Sequence, residues 1–441
     1  MMDHQEYKRW LSSHPGQERL GQLYGADVKR QTARCLALLD AHQQAFGAGR
    51  PLCLVSAPGR TEIVGNHTDH NRGCVLAAAV NLDTLAVASP RKDRLVRLHS
   101  AGYAPLSMDL GDLSPQPGEK NTTAALIRGV AERMEALGCR IGGFDAAVTS
   151  QVLSGSGLSS SAAFEVAMAA VFDALYNDFT LEAKTRARIG QYAENLHFGK
   201  PSGLMDQMAS SVGGLVAIDF KADEAQVTAL PFSFAASGYH LIVVDTRGSH
   251  DDLTPAYSAI QSEMQAVARA MGAEVLRERN KADFMAQLPH IRQQAGDRAV
   301  LRALHFYNEN DRVARAVAAL QADDLPLFFR MVKESGLSSW TMLQNLYVHA
   351  QSQPLALALC AAEEVLDGDG ACRVHGGGFA GTTLNFVPDH QVRDFTQNGV
   401  HATGEVPQVR DFTGRMDAIF GEGACLVLDV RAEGAARIGT P

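Results

Sequence analysis

The sequence has few, widely spaced cysteines, and this scarcity excludes two classes of small domain. Its seven cysteines are Cys35, Cys53, Cys74, Cys139, Cys360, Cys372 and Cys425. None belongs to a C-x-x-C pair, whereas zinc ribbons and disulfide scaffolds need clustered cysteines. Isolated thiols in odd number indicate a reducing compartment, and we therefore expect a cytoplasmic protein.

Long apolar runs and an excess of positive charge are also missing. No stretch of about 18 uninterrupted apolar residues occurs, which argues against a membrane span. Residues 1–13 lack the apolar run of a signal peptide. The formal net charge is −9, so the chain has no long-range attraction for nucleic acid or an anionic membrane. We expect neither as a partner, and the oligomeric state cannot be read from the sequence.

The chain does contain enough apolar material for a sizeable core. Apolar residues make up 46% and charged residues 20% of the 441 residues, as in ordinary globular proteins. Because domains usually have ~100–200 residues, two domains are expected. Strand-like and helix-like segments are mixed irregularly, which favours an α+β class over a doubly wound sheet. We place the boundary within residues 221–237, which gives domains 1–228 and 229–441.

Local patterns predict a strand followed by a loop, a long helical region and a frayed C-terminal tail. Residues 52–57 form an apolar run that ends at Pro58 and Gly59, which predicts a strand followed by a loop. Residues 252–361 have a mostly helical pattern. The segment after Arg431 is rich in glycine and alanine, which predicts a frayed tail.

The strongest single motif is a run of glycines and serines, SGSGLSSS, at residues 154–161. An apolar helical face follows over residues 160–177. Glycines let the backbone approach a ligand, and the helix N-terminus offers unpaired N–H groups and a partial positive charge, so the pair predicts a phosphate cradle. A flexible loop with a serine N-cap explains the same residues and stays open as an alternative. The motif is not a P-loop, because no lysine follows the glycines.

A second polar stretch, PGRTEIVGNHTDH, occupies residues 58–70. Arg60 could pair with a phosphate or a carboxylate, and Asn66, His67 and Asp69 could hydrogen-bond a polyol. The H-x-D-H end could also ligate a metal, but it is not a strong zinc spacing and no further nitrogen or sulfur ligand is close in sequence. A polar turn without function remains an alternative.

Two further motifs carry weaker signals. Asp206 lies among small and apolar residues in GLMDQ at residues 203–207. Near a phosphate-binding loop such a carboxylate is a candidate base or Mg²⁺ partner, although the run also fits an ordinary helix start. Residues 376–381 read GGGFAG, which matches the G-x-G-x-x-G of dinucleotide-binding folds. That motif must open a helix, whereas residues 382–387 predict a strand, so a hairpin turn is favoured and a hydride-transfer enzyme is disfavoured.

Taken in order, these motifs resemble those of the GHMP kinase family and, within it, of the galactokinases. The family's first motif is similar to residues 58–70, its second to residues 155–162 and its third to residues 376–381. The GLMDQ run also resembles galactokinases, so the resemblance covers nearly the whole chain. It implies a two-domain α+β fold with the active site in the interdomain cleft. It also implies ATP-dependent phosphorylation of the C1 hydroxyl of galactose.

The resemblance further implies a role for each matched residue. Asp206 would act on the C1 hydroxyl as a base or an orienting charge, and Arg60 would keep Asp206 ionised and stabilise the γ-phosphate. Ser161 and Glu194 would hold Mg²⁺, and Gly376 to Gly378 would support the phosphate loop. The loop residues that would bind ATP are Gly155, Ser156, Gly157, Leu158, Ser159, Ser160 and Ser161. The residues implied in sugar binding are Glu62, Asn66, His67, Asp69, Gly203 and Tyr257.

The chain departs from the galactokinase pattern in three places. Glu62 stands where galactokinases usually have Asn, and Asn66 stands where they usually have Glu, which could preserve one hydrogen-bonded pair with its ends reversed. His70 replaces the usual Tyr, and the third motif is looser than the common form. Because one altered hydrogen-bonding partner can shift the choice of sugar, a kinase of N-acetylgalactosamine, arabinose or a uronic acid stays open. So does a catalytically silent sensor of sugar and ATP, although the retained Asp206, Arg60 and Ser161 argue against it.

Overall fold

The structure, a computed structural model, describes residues 1–152, 157–200, 202–248, 253–379, 381–392, 394–396, 399–401 and 411–439. The α-helices are α1 (His4–Leu11), α2 (His14–Tyr24), α3 (Val28–Phe46), α4 (Thr123–Ala136), α5 (Ser160–Tyr176), α6 (Ala183–Tyr192), α7 (Met205–Val212), α8 (Thr254–Ala270), α9 (Lys281–Ala286), α10 (Leu288–Ala295), α11 (Asp297–Gln321), α12 (Leu325–Ser338), α13 (Pro354–Leu366) and α14 (Phe412–Phe420). The strands are β1 (Cys53–Val64), β2 (Cys74–Pro90), β3 (Leu95–Ser100), β4 (Leu106–Asp109), β5 (Phe144–Ser150), β6 (Leu215–Asp219), β7 (Gln226–Leu230), β8 (Tyr239–Asp245), β9 (Ala371–Val374), β10 (Thr382–Pro388), β11 (Asp394–Thr396), β12 (Gly399–His401), β13 (Cys425–Leu428) and β14 (Ala436–Ile438). π-helical turns follow α6 at Ala193–Phe198 and α12 at Ser339–Leu343.

The first sheet has the strand order β14-β1-β2-β5-β3-β4, and β6 and β7 extend it from β2. Only the β3–β5 pairing within it is parallel among the described strands. Helix α5 packs across β1 and β2. Because α5 is rich in alanine, valine and phenylalanine and buried nearly all round, it forms the centre of the core beneath this sheet. Its first residue, Ser160, therefore has a fixed position relative to β1.

The second sheet is antiparallel, in the order β13-β8-β10-β9. Helices α12 and α13 pack against β9. The two sheets share one hydrophobic cluster, in which Ile63 and Val64 at the end of β1 join Leu241, Phe328 and Phe386. This shared core fixes the polar end of β1 against the turn that follows β9. The arrangement confirms the predicted α+β class and the helical region over residues 252–361.

Strand β1 is longer than the sequence predicts, because it does not end at Pro58. All its residues are buried, and it pairs with β2 up to Val64, with register shifts between Pro58 and Arg60 and between Glu62 and Val64. A proline is tolerated within a sheet at such an irregularity, where its missing N–H costs no ladder hydrogen bond. Arg60 and Glu62 therefore project from a rigid strand rather than from a loop.

The prediction of a frayed C-terminal tail is wrong for residues 436–438. Strand β14 pairs with β1, with Ile438 opposite Leu54 and Ala436 opposite Ser56. Both Ala436 and Ile438 are completely buried. Composition is a poor guide here, because a segment rich in glycine and alanine can still form an edge strand when its few larger side chains are buried in the core.

Replacing Ile438 by alanine should destabilise the protein although it lies close to the chain end. We expect Ile438→Ala to lower the free energy of unfolding by about 2–5 kcal/mol, because it empties a fully buried site. Urea unfolding followed by circular dichroism measures this change. Val427→Ala, at a residue that is 37% exposed, is the control and should change the midpoint little. Equal midpoints for both variants would contradict the docking of β14.

The division into domains 1–228 and 229–441 remains our proposal. Strand β7 spans the proposed boundary, and β14 returns from the C-terminal half to the first sheet. Within the described residues, no helix is long and apolar enough to cross a membrane.

Candidate active site

A cavity of about 520 Å³ lies where β1, the start of α5, the start of α7 and the turn after β9 meet. That volume suits a small-molecule ligand. The candidate residues on its wall are Arg60, Glu62, His67, Asp69, Gly157, Ser159, Ser160, Ser161, Gly203, Asp206 and Tyr257, together with Gly376, Gly377 and Gly378. Gly155 and Ser156 lie outside the described residues. The two halves of the chain thus both contribute to one cavity, as the resemblance to GHMP kinases implies.

A shallower depression of about 320 Å³ adjoins this cavity. The two share Asp69, His70 and Gly203 on their walls. Its outer wall includes Arg72 and Asp223, which form a 3.5 Å ion pair and are largely exposed.

Asp206 and Arg60 form an ion pair at the centre of the cavity wall. The Arg60 Nε and Nη2 atoms lie 2.7 and 2.6 Å from Asp206 Oδ1, and Ser159 Oγ donates to Asp206 Oδ2 at 2.6 Å. Arg60 also donates through Nη1 to the carbonyl of Gly157. Both oxygens of the Asp206 carboxylate are therefore held, and its orientation is fixed by Arg60 on β1 and by Ser159 at the end of the glycine- and serine-rich loop.

The charge of Asp206 is stabilised in spite of its burial. Burial by itself raises the pKa of this carboxyl, but Arg60, the Ser159 hydroxyl and Lys200 together lower the pKa below its usual value. Asp206 is also the second residue of α7, where the helix dipole favours a negative charge. The carboxylate is therefore ionised at neutral pH and can accept a hydrogen bond or a proton.

The described part of the glycine- and serine-rich loop begins at Gly157 and leads directly into α5. Gly157 has φ = +71°, and a Cβ there would lie 2.6 Å from Thr382 Oγ1 and 2.7 Å from His375 Nδ1. A side chain is therefore excluded at this position by both conformation and contact. Ser159 precedes α5 but makes no side-chain cap, because its hydroxyl binds Asp206. This geometry disfavours the serine N-cap alternative at Ser159.

The residues implied for Mg²⁺ are in contact. Ser161 Oγ donates to Glu194 Oε1 at 2.9 Å, and Lys200 Nζ lies 2.8 Å from the same oxygen. Glu194 Oε2 accepts from Ser202 at 2.6 Å and from Gln207 at 2.9 Å. A carboxylate and a hydroxyl oxygen are donors that suit Mg²⁺, which in kinase sites completes its shell with water and phosphate. The pair fits a magnesium site, provided that Lys200 gives up its contact with Oε1. The described residues contain no group of three or more His, Cys, Asp or Glu that could hold a metal alone.

The opposite end of the cavity carries polar groups suited to a polyol. His67 Nε2 lies 3.1 Å from the carbonyl oxygen of Gly377, and burial lowers the pKa of His67 to about 4, so the ring is neutral. The Tyr257 hydroxyl donates to the carbonyl of Gly378 at 2.8 Å. The glycine turn after β9 thus positions two candidate sugar-binding side chains.

Asp69 and Gly203 touch each other at this end. The Asp69 carboxylate accepts a hydrogen bond from the backbone N–H of His70 at 2.8 Å. Burial, followed by the nearby charge of Asp206, raises the pKa of Asp69 to about 6. A Cβ at Gly203 would lie only 1.6 Å from Asp69 Oδ2. The absence of a side chain at Gly203 therefore determines where the Asp69 carboxylate can lie.

Gly203→Ala should displace Asp69 and weaken sugar binding. We expect the KM for the sugar to rise about tenfold or more, since a misplaced hydrogen-bonding group loses its hydroxyl partner. Steady-state kinetics with varied sugar at saturating ATP measures this change. Gly118→Ala is the matched control, because a Cβ at Gly118 meets nothing within 4 Å. An unchanged KM in a folded Gly203→Ala variant would contradict the placement of Asp69.

The structure places the exchanged residues Glu62 and Asn66 differently with respect to the cavity. Glu62 lies on the wall, whereas Asn66 is 1% exposed and lies behind it. Asn66 Nδ2 donates to Glu62 Oε1 at 2.9 Å and to the Gly376 carbonyl at 2.7 Å. Its Oδ1 accepts from Asn345 at 2.8 Å and from Ser339 at 3.2 Å. The protein itself thus uses both donors and the acceptor of the Asn66 amide, and sugar binding by Asn66 stays a prediction without a free group to support it.

Comparison with known proteins identifies the family. A galactokinase galactose-binding signature matches residues 40–90, and the N-terminal domain of GHMP kinases matches residues 125–214. A galactokinase of Streptomyces coelicolor is 32% identical over 353 residues, which cover 79% of this chain and 87% of that protein. The chain belongs to the galactokinase family. A galactokinase of Roseiflexus sp. is 31% identical over 391 residues, covering 87% of this chain and 94% of that protein.

The fold agrees with this assignment to the galactokinase family. The crystal structure of Lactococcus lactis galactokinase complexed with galactose superimposes with a TM-score of 0.75. The alignment covers 90% of this chain and 98% of that chain at 22% sequence identity. At this identity the comparison shows a shared fold. The GHMP kinase fold predicted from the motifs is therefore confirmed.

Two residues on the cavity wall were missed by reasoning from the galactokinase motifs. Lys200 contacts Glu194, and although burial lowers its pKa, the charge of Glu194 raises it above the usual value, so Lys200 is cationic. His375 Nε2 lies 3.0 Å from Thr61 Oγ1 and its Nδ1 lies 3.0 Å from Thr382 Oγ1. The sequence signal for Lys200 is its position next to Gly199, six residues after Glu194. His375 had none beyond its place before the glycine turn.

Proposed function

We propose that this protein transfers the γ-phosphoryl group of ATP to the C1 hydroxyl of galactose. The observation that carries the proposal is the ionised Asp206 carboxylate, held between Arg60 and Ser159 on the wall of a cavity of suitable size. Membership of the galactokinase family supports the same substrate pair. The sugar would lie against Glu62, His67, Asp69, Gly203 and Tyr257.

The chemistry follows from these positions. The C1 hydroxyl oxygen attacks the γ-phosphorus, the bond to the bridging oxygen breaks, and ADP leaves. Asp206 orients the hydroxyl and receives its proton, either before the attack or as the new bond between oxygen and phosphorus forms. Arg60 neutralises charge on the transferred group, and Lys200 and the N-terminus of α5 attract the triphosphate. Such transfer needs positioning and electrostatic stabilisation more than covalent catalysis.

Ser161 and Glu194 are the residues that would hold Mg²⁺. Bound there, the ion would neutralise charge on the β- and γ-phosphates. Lys200 and Ser161 both donate hydrogen bonds to the Glu194 carboxylate. We also propose a reducing, cytoplasmic location, because all seven cysteines are free thiols.

A sugar panel tests the proposal. ADP release is measured by a coupled assay with ATP, Mg²⁺ and single monosaccharides: galactose, N-acetylgalactosamine, arabinose, galacturonate and glucose. We expect the highest kcat/KM with galactose. A higher kcat/KM with another sugar would keep the kinase and change its substrate. Binding of ATP and sugar without turnover on any sugar would instead indicate a sensor.

A further inference from the structure

Glu62 has one carboxylate oxygen that no described residue contacts by a hydrogen bond, on the wall of the cavity. The residue is 4% exposed and lies on the cavity wall. Its Oε1 accepts from Asn66 at 2.9 Å and from Arg373 Nη2 at 3.3 Å. No described residue donates a hydrogen bond to Oε2. A nearly buried side chain with one satisfied and one free oxygen on a cavity wall is a ready acceptor for a ligand hydroxyl.

The groups behind Glu62 fix this orientation. Arg373 on β9 is completely buried and donates also to the carbonyl of Ile63 at 2.9 Å. Asn66 is held by its own contacts with Gly376 and Asn345. Because both partners of Oε1 are immobilised, the carboxylate cannot turn its free oxygen away from the cavity without breaking two buried hydrogen bonds.

The charge environment of Glu62 is finely balanced. Burial raises its pKa, Arg373 and Arg60 lower it, Asp69 raises it, and the resulting pKa is about 7. Arg373 is shared with a second carboxylate, since Glu309 on α11 lies 4.0 Å from its Nη1. His305 on α11 adds no charge, because burial lowers its pKa while it contacts the carbonyl of Asn66. Glu62 is thus anionic above neutral pH and loses its charge as the pH falls below 7.

We propose that the free oxygen of Glu62 accepts a hydrogen bond from a sugar hydroxyl and that its negative charge excludes sugars with a carboxylate at that position. The inference rests on the proposed sugar-kinase function and deepens it, because it names the substrate class. Neutral hydroxylated sugars are accepted, and uronic acids are rejected. Because Glu and Asn are exchanged between positions 62 and 66, the carboxylate that would bind the sugar hydroxyl lies on β1, at position 62.

The cost to a uronic acid is electrostatic. Its carboxylate stays ionised at every pH where the enzyme works and would approach Glu62 with Asp69 close by, inside a site of low dielectric. A hydroxyl at the same place donates to Oε2 and forms a charge-assisted hydrogen bond. Discrimination should therefore be strongest at pH 8 and weaker at pH 6, where part of the Glu62 population is protonated.

The test compares wild type, Glu62→Gln and Asp223→Asn on galactose and galacturonate between pH 6 and pH 8.5. The Glu62→Gln substitution keeps the acceptor for Asn66 and Arg373 but turns an uncharged amide towards the cavity. Asp223→Asn removes a carboxylate that is 94% exposed at the neighbouring depression. It controls for the effect of losing one negative charge near the cavity. Turnover is measured by ADP release and sugar affinity by calorimetry, and thermal unfolding confirms that each variant folds.

We expect Glu62→Gln to raise the KM for galactose about tenfold with a smaller change in kcat. The preference for galactose over galacturonate should fall about tenfold or more in the same variant, and the dependence of that preference on pH near 7 should disappear. An unchanged preference in folded Glu62→Gln, or an equal loss in Asp223→Asn, would overturn the inference. If wild type turned over neither sugar, the proposed function would fail, and the calorimetric preference would still decide the role of Glu62.

Discussion

Asp206→Asn should reduce kcat for galactose phosphorylation by about 10²–10⁴-fold, which is the range for removal of a general base. Asparagine has nearly the same shape, and its oxygen can still accept from Arg60 at the position of Oδ1. It cannot take the C1 proton or orient the hydroxyl with a full charge. The variant should therefore fold and bind ATP and sugar with affinities within a few-fold of wild type.

Single-turnover kinetics with calorimetry for ATP separates this result from a loss of binding. Asp223→Asn is the matched control, because it makes the same chemical change at an exposed aspartate beside the cavity. A kcat for Asp206→Asn within about threefold of wild type would remove Asp206 from the chemical step, since general bases contribute far more than that.

Arg60→Met should have the second largest effect, and this effect should depend on pH. We expect kcat/KM to fall about 10²–10³-fold, the usual loss when a donor to developing charge is removed. Burial is already the largest single influence on the pKa of Asp206, and Arg60 is the largest group that opposes it. Without Arg60, the pKa of Asp206 therefore rises. Arg60 also lowers the pKa of Glu62 and of Asp69, so all three carboxylates lose their charge at higher pH in the variant. The acid limb of the kcat/KM profile should therefore move to higher pH, and the loss should be greater at pH 6 than at pH 9.

The profile of kcat/KM between pH 5.5 and pH 9.5 measures this shift. Arg72→Met is the control, because Arg72 is an exposed arginine at the edge of the neighbouring depression, and its profile should match wild type. A profile for Arg60→Met that runs parallel to wild type at every pH would show that Arg60 does not control the ionisation of Asp206.

Much of the catalytic end of the site could be predicted from sequence. Arg60 and Ser161 each lie in a motif whose residue types indicate phosphate chemistry, whereas the motif of Asp206 is a weak signal that gains its role from the resemblance to galactokinases. The structure brings Arg60 and Asp206 into contact and joins Ser161 to Glu194. The packing of β1 on α5 follows from the apolar patterns of both segments. Asp206 and Glu194 reach their partners because α7 packs on β1 and α6 packs on α5.

The sugar end was less predictable, because its geometry depends on residues distant in the chain. Glu62 and Asn66 were recognised as exchanged, but their directions are set by Arg373, Asn345 and Gly376. The sequence of residues 58–70 does not indicate any of these three distant partners. The pairing of β14 with β1 was missed for the same reason, since a short edge strand is defined by its partner more than by its own sequence.

The product of the reaction tests the central claim most directly. The protein is incubated with ATP, Mg²⁺ and galactose, and the product is examined by phosphorus and proton nuclear magnetic resonance. The account predicts one sugar phosphate whose phosphorus couples to the anomeric proton, which places the phosphoryl group on C1. A phosphoryl group on another carbon would contradict the assigned role of Asp206, and the absence of any sugar phosphate from protein that binds galactose and ATP would contradict the kinase itself.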